Sequence, residues 1–254
     1  MRFKLLIGAF LLFVCARVYA FGEDEIKSKV TAALDQIKNY YAESTMEMRI
    51  NTEQANAAPT LLFDQRMDSR STVDFAGNAL HMEYTVSLTT KDKEQSMVSE
   101  AYINEGLFYQ KIGEQWFKRP LTEIDKDVFK SPDQEKELLS GSKLEIVTDD
   151  PLYVVVIPDK EKMSQQLIDK LRVTLGDKNK AFNITMDTLT LEYWFDSQFN
   201  LARKRTLSRM KVESPNQPTQ IIEESTTASY TAYNQNREIV LPADVKEAEV
   251  SPLK

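Results

Sequence analysis

The clearest pattern in the chain is an alternation of apolar and polar side chains with a period of two. It is cleanest between residues 80 and 88. The apolar positions there are Leu80, Met82, Tyr84, Val86 and Leu88, and the polar positions are His81, Glu83, Thr85 and Ser87. A strand of this kind has one dry face and one solvated face, as is typical of antiparallel sheet. We therefore predict an antiparallel sheet that contains this run.

The same period recurs before and after this run. Met46, Met48 and Ile50 alternate with polar residues. In the next segment, Met67 and Val73 are separated by an even number of positions and are therefore predicted to lie on the same face of a strand. A hairpin is predicted over 98–112 with its turn at 104–106, and another turn is expected at Gly113. Further strands are predicted in the following segments: 114–117, two strands within 143–157, 182–195, 201–213 and 219–233, with a short tail over 236–242.

Three segments instead repeat apolar residues at helical spacing. The first, 22–38, carries Ile26, Val30 and Leu34 on one face. The second spans 122–140 with an interruption at Pro132, and the third spans 159–175 and ends at Gly176. Helices segregated from strands in this order predict an α+β fold. The simplest architecture is one large, curved antiparallel sheet with helices packed on its concave apolar face.

Residues 1–20 have the pattern of a secretory signal peptide. Arg2 and Lys4 precede an apolar run, and the segment ends in the small residue Ala20. We expect cleavage after Ala20, which leaves 21–254 as a single domain in the periplasm or outside the cell. An uncleaved anchor helix is the alternative. Cys15, the only cysteine, raises a second alternative, a lipid-anchored envelope protein, although the apolar residues before it fit a lipidation signal poorly.

The balance of acidic and basic residues limits the classes of partner that the mature chain is expected to bind. Loss of Arg2, Lys4 and Arg17 with the leader changes the balance from 32 basic against 39 acidic residues to 29 against 39. A net negative charge disfavours sequence-independent binding to nucleic acid and electrostatic docking on anionic lipid. No stretch after the leader is apolar enough to cross a membrane.

Catalytic chemistry is not apparent in the sequence. His81 is the only histidine, and its position on the polar side of its strand predicts that it is solvated. Without a mature cysteine there is no Cys-His nucleophile and no soft metal site. We read Glu43, Glu47, Glu83 and Glu100 as a solvated acidic surface. We therefore predict no catalytic residue, no metal and no cofactor, and a protein that is not an enzyme.

The apolar side of the predicted sheet is rich in methionine, whose flexible side chain adapts to variable partners. Such a face is suited to an acyl chain, although helices that fill the space completely are the alternative. The predicted cavity-lining residues are Met46, Met48, Met82, Tyr84, Val86 and Leu88.

Several segments also carry a family resemblance. They are 43–50 after the first helix, 100–109 followed by Trp116-Phe117-Lys118, the strand-turn-strand of 193–204, and 233–245. In this order they resemble the DUF6612 family of bacterial envelope proteins, which is similar to the LolA and LolB lipoprotein carriers and the mycobacterial LppX and LprG lipid-binding proteins. The resemblance implies an unclosed β-barrel with helices as a lid over an apolar cavity. It carries no catalytic signature.

Two functions remain open at this point. The first is a non-enzymatic carrier or chaperone for a lipid or lipoprotein acyl chain. The second is an envelope sensor or scaffold module that binds another protein, in which the interior is filled and the strand edges and acidic faces form the contacts.

Overall fold

Twelve strands form one sheet in the part of the chain that the structure describes. The structure is a computed structural model, and it describes residues 21–53, 59–165, 183–213, 218–235 and 237–250. The strands are β1 (Asn39–Glu53), β2 (Thr60–Asp74), β3 (Ala79–Thr89), β4 (Glu94–Asn104), β5 (Leu107–Ile112), β6 (Gln115–Pro120), β7 (Lys143–Asp149), β8 (Leu152–Ile157), β9 (Asn183–Phe195), β10 (Leu201–Glu213), β11 (Thr219–Thr231) and β12 (Glu249–Val250).

The order of the strands across the sheet is β12-β6-β5-β4-β3-β2-β1-β11-β10-β9-β8-β7. Neighbouring strands run antiparallel, except β12, which lies parallel to β6. The two ends of the order, β12 and β7, do not pair with each other, so the sheet is unclosed. The predicted α+β class and the unclosed antiparallel sheet are therefore confirmed.

Tight turns connect the strands where the sequence predicts them. Between β4 and β5, Glu105 and Gly106 have φ values of 50° and 78°. Two successive residues with positive φ match the right-handed twist of the flanking strands, which is why two-residue hairpin turns favour this conformation. Gly113, with a φ of 62°, lies in the turn between β5 and β6.

Helices follow the predicted segments with shorter bounds. They are α1 (Glu23–Leu34), α2 (Glu123–Lys126), a 3₁₀ helix (Asp127–Lys130), α3 (Ser131–Ser140) and α4 (Ala243–Lys246). Residues 160–165 are helical, and the rest of the helix predicted to end at 175 lies outside the described residues. The first helix ends at Leu34, and β1 begins at Asn39. Between them, the N–H of Lys38 donates to the side-chain Oδ1 of Asn234 at 2.6 Å.

The main core lies between two helices and one end of the sheet. Ile26 and Val30 of α1 and Leu139 of α3 pack against buried residues of β7 to β10. Burial of one such side chain contributes about 1.5–3 kcal/mol. The sheet residues in this core are Leu144, Leu152, Val154, Val156, Leu191, Tyr193, Phe195 and Leu201. Helices therefore cover one face of the sheet, as predicted.

A separate core lies beneath the C-terminal segment. Val245 of α4 is fully buried and packs with Trp116 and Tyr102, and the indole Nε1 of Trp116 donates to Asp244 Oδ2 at 3.1 Å. The prediction of a short tail over 236–242 was incomplete, because the chain continues into α4 and β12. This segment is folded by contacts with residues more than 120 positions away, so its own periodicity does not reveal it.

The predicted leader, its cleavage after Ala20 and the role of Cys15 lie outside the described residues. In the described ranges, no helix combines the length and the apolar character needed to span a bilayer.

Candidate ligand-binding face

The register of the sheet shows which side chains share a face. Residues directly opposite each other on neighbouring strands point to the same side. Met46 on β1 lies opposite Thr226 on β11, which lies opposite Thr206 on β10, and Thr206 lies opposite the core residue Leu191 on β9. Met46 is therefore on the side of the sheet that carries α1 and α3. We call this side the helix-side face and the other side the outer face.

All six residues predicted to line a cavity lie on the helix-side face. Met46 is opposite Met67, Met67 is opposite Val86, and Val86 is opposite Met97. Two residues further along the strands, Gln65 on β2 lies between Met48 on β1 and Leu88 on β3. Met82 and Tyr84 follow on β3 with the same parity, and all six side chains are half-buried. That they line a cavity remains a prediction.

The same face holds every methionine of the described strands. Met186 on β9 lies opposite Met210 on β10, which continues the face through Ile222 and Ile50. A thioether chain has three rotatable bonds and fills irregular space without a fixed shape. The seven methionines are Met46, Met48, Met67, Met82, Met97, Met186 and Met210.

Small side chains form a trough beside the methionines. The hydroxyls of Ser44 and Ser69 lie 2.7 Å apart across β1 and β2. Gln110 on β5 reaches over the small residues of β4 and donates from Nε2 to the Tyr84 hydroxyl at 2.7 Å. The trough, as defined by the register, consists of Ala42, Ser44, Ser69, Ser71, Ser99, Ala101 and Ala228. Tyr84 and Met82 on β3 lie in the same rows, between the small residues of β2 and those of β4, so these two long side chains divide the trough.

Burial varies along the face. At the end near the 3₁₀ helix, Val73 and Leu80 are buried against Val128 and Phe129. At the other end the methionines are half-buried, and Met97 is 45% exposed. The helix-side face is therefore packed at one end and partly accessible at the other.

An ion pair fastens α3 to this face. The Glu135 carboxylate accepts hydrogen bonds from the Lys204 ammonium and from the Tyr193 hydroxyl. Burial, aided by the Glu135 carboxylate, raises the pKa of Tyr193 well above its usual value, which keeps the phenol protonated as a donor. A cavity of about 500 Å³ opens beside this contact. It is lined by the ion pair, by the apolar residues Leu138, Pro158 and Met163, and by the charged residues Glu137, Asp159 and Lys162. We call the contact among Glu135, Lys204 and Tyr193 the α3 latch.

The outer face is polar and carries the larger concavity. A groove of about 960 Å³ runs across β11, β1, β2, β3 and β4 to the β5–β6 turn. Ion pairs such as Arg49 with Asp64 at 2.7 Å and Arg66 with Glu47 at 3.0 Å lie on the same face. Side chains that line the groove include Glu43, Arg70, Glu83, Thr85, Glu100 and Lys111. The predicted acidic surface is therefore also a groove, which the sequence pattern did not indicate.

His81 requires a correction. It lies on the outer face as predicted, but it is only partly exposed to solvent. Its side chain is 29% exposed, its Nε2 is 2.9 Å from Glu100 Oε1, and its ring stacks on Tyr102 with centroids 4.4 Å apart. The alternation of β3 assigns His81 to the outer face, but it does not show that the C-terminal segment crosses that face beside it.

Comparisons with known proteins identify the family. A family model described as a family of unknown function, DUF6612, matches residues 22–250. The chain belongs to this family. The resemblance drawn from the sequence is thus confirmed. Comparison with curated proteins gives no match.

The solved structures to which the chain is similar include three that differ in their described roles. LprF from Mycobacterium bovis is 15% identical, covers 87% of this chain and 97% of its own, and has a TM-score of 0.43. A beta-barrel-like protein of the DUF1849 domain of unknown function from Brucella abortus is 6% identical, with coverages of 75% and 98% and a TM-score of 0.26. The S-type phycobiliprotein lyase CPES from Guillardia theta is 7% identical, with coverages of 85% and 96% and a TM-score of 0.21.

Proposed function

We propose that this protein is a non-enzymatic binding protein for a lipid or lipoprotein acyl chain, held against the helix-side face. The observation that carries the proposal is the methionine-rich, half-buried part of that face next to a trough of small side chains. Burial of each methylene contributes about 0.8 kcal/mol, so a chain of about ten methylenes gains about 8 kcal/mol before the cost of association.

The α3 latch supplies a means of controlling access. Glu135 is on a helix of ten residues, whereas Lys204 and Tyr193 belong to the sheet. Release of this contact loosens α3 from the sheet, while Lys136 still pairs with Asp35 at 2.6 Å and Leu139 remains the anchor of α3 in the core. We propose that opening of the latch widens the cavity beside Leu138 for loading and release.

The proposed location is outside the cytoplasm, and it depends on the leader predicted for residues 1–20. In that compartment an acyl chain needs a carrier whenever it leaves a membrane, because water disfavours its exposure. A carrier of this kind requires no reaction and therefore no catalytic site.

The proposal is tested with a fluorescent polyene fatty acid as probe. The double variant Met46→Gln and Met67→Gln keeps side-chain length but adds polar amides to the middle of the face. Unpartnered buried amides cost about 1–3 kcal/mol, so probe affinity is expected to fall about tenfold or more. Glu47→Gln, on the same strand but on the outer face, is the matched control and is expected to bind as the parent does. Equal affinity of all three proteins would reject this face as the binding site.

A second candidate function is favoured by the outer groove. Its volume of about 960 Å³ exceeds that of the cavity beside the latch, and its lining is charged. A groove of this kind fits a polar segment of another envelope protein, in line with a sensor or scaffold module. Crosslinking in envelope extracts distinguishes the two functions, because a carrier is expected to copurify with lipid and a scaffold with a fixed protein partner.

A further inference from the structure

Three side chains on the outer face bring potential metal ligands together. His81 and Glu83 are two positions apart on β3, and Glu100 lies directly opposite Glu83 on β4. One ligand atom from each side chain can be chosen so that all three lie within 4.8 Å of one another. The closest pair, His81 Nε2 and Glu100 Oε1, is 2.9 Å apart. We call these residues the His-Glu-Glu cluster.

Aromatic neighbours hold the cluster in place. The hydroxyl of Tyr102 donates to Glu100 Oε1 at 2.7 Å, while the ring of Tyr102 stacks on the imidazole of His81. Tyr102 is 5% exposed and packs in turn on Trp116. One buried side chain thus fixes the orientation of two potential ligands, which is the role that outer-shell partners have around bound metals.

The cluster brings two acidic side chains together in a groove that Arg70 and Lys111 also line. Two carboxylates directly opposite each other on a sheet repel. Arg70 lies opposite Glu83 in the register, but its guanidinium pairs with Glu43 at 3.4 Å. In the described part of the chain, no side chain forms a hydrogen bond or ion pair with Glu83. A bound cation would remove this repulsion.

We propose that the His-Glu-Glu cluster binds a divalent first-row transition-metal ion, with Zn²⁺ as the best-fitting member. One imidazole nitrogen and two carboxylate oxygens form a ligand set that Zn²⁺ accepts. Bond lengths of about 2.0–2.1 Å at tetrahedral angles place ligand atoms about 3.3 Å apart. The cluster reaches that spacing with side-chain shifts of about 1.5 Å or less. A set with no imidazole would instead suit Ca²⁺ or Mg²⁺, so His81 decides the class of metal.

The site lies beside the outer groove, so a molecule bound in the groove could supply a further ligand to the metal. Glu83 and Glu100 line the outer groove, whereas His81 lines the neighbouring hollow beside Arg237, so an ion held by all three would lie within reach of a ligand in the groove. The ion therefore joins β3 to β4 and presents an open position to whatever occupies the groove. Sequence spacing does not reveal the site, because Glu100 is 17 positions from Glu83 and reaches it only through strand pairing. This inference is independent of the acyl-chain proposal, which concerns the opposite face.

The single histidine makes the test direct. Tag-free full-length protein is titrated with ZnCl₂ by calorimetry, and the imidazole protons of His81 are followed by NMR as the only histidine signals in the spectrum. We expect one Zn²⁺ per chain and a new His81 signal that saturates at the same ratio. Tyr102→Phe, a positioning variant, is expected to bind about tenfold to 100-fold more weakly with unchanged stoichiometry.

The ligand variants decide the outcome. Glu83→Gln replaces an exposed side chain without threatening the fold, and we expect a larger loss of affinity than for Tyr102→Phe. Glu47→Gln, an outer-face carboxylate that already pairs with Arg66, is the matched control and is expected to leave Zn²⁺ binding unchanged. An unmoved His81 signal at saturating Zn²⁺ would overturn the proposal. Equal binding by the Glu83 and Glu47 variants would also overturn it.

Discussion

Replacement of Glu135 is expected to weaken the attachment of α3 to the sheet by an amount that the structure allows us to work out. The side chains of Glu135 and Lys204 are 17% and 21% exposed. Removal of one partner from a fully buried pair costs about 3–5 kcal/mol, whereas exposed pairs contribute about 0–1 kcal/mol. At this intermediate burial, Glu135→Gln is expected to cost about 2 kcal/mol, because Gln still accepts from Tyr193 but no longer balances Lys204.

Two further variants separate the parts of the latch. Glu135→Ala also leaves the buried Tyr193 hydroxyl without its acceptor, which adds about 1–3 kcal/mol. The double variant Glu135→Gln with Lys204→Met removes both charges, and its stability is expected to lie within about 1 kcal/mol of the parent. The free energy of unfolding is measured by urea denaturation for all four proteins, and probe exchange by stopped-flow fluorescence.

The expected order of stability is parent, double variant, Glu135→Gln and then Glu135→Ala, with faster probe exchange in the two single variants. A Glu135→Gln protein as stable as the parent would show that the pair contributes nothing. A double variant less stable than Glu135→Gln would contradict the idea that Lys204 is left uncompensated. Loss of stability with unchanged probe exchange would leave the ion pair structural and reject its role as a latch.

Two other predictions concern stability. Burial by itself raises the pKa of Asp125, but hydrogen bonds from Arg119 and Thr122 outweigh it and lower the pKa from 3.8 to about 2. Because this pKa is depressed in the folded state, the stabilisation, about 2 kcal/mol at most, is present above pH 4 and lost as the pH falls towards 2. Asp125→Asn should lose that part of the pH dependence in urea denaturation between pH 2 and 6, and an unchanged profile would contradict it. Val245→Ala is expected to cost about 2 kcal/mol and to quicken amide exchange in α4, since Val245 is fully buried against Trp116. Slow exchange in α4 of that variant would show that other contacts hold the segment.

The strands were the most predictable part of the fold. The period-two runs predicted β1 and β3 because one face of each strand is more exposed than the other over most of its length, and strands were also predicted where β9, β10 and β11 lie. The turn at Glu105 and Gly106 was predictable because Gly is favoured where φ is positive. The C-terminal segment was not, since Ile239, Leu241 and Val245 show no regular period and are buried only by contact with β4 to β6.

The candidate sites were predictable in part. Strand parity was enough to place Met46 and Met82 on one face, since register follows from the same alternation. Parity cannot report what covers a face or how strands bring side chains together. For that reason the α3 latch, in which Glu135 and Lys204 are 69 positions apart, and the stacking of His81 on Tyr102 emerged only from the structure.

Native mass spectrometry of the full chain, purified from an expression host without detergent, shows whether the helix-side face holds an acyl chain. We expect a bound species whose mass matches that of a lipid. Organic extraction should release it, and the Met46→Gln and Met67→Gln double variant should carry much less of it. If the parent protein is detected only without ligand and binds no added fatty acid, the helix-side face is not an acyl-chain site.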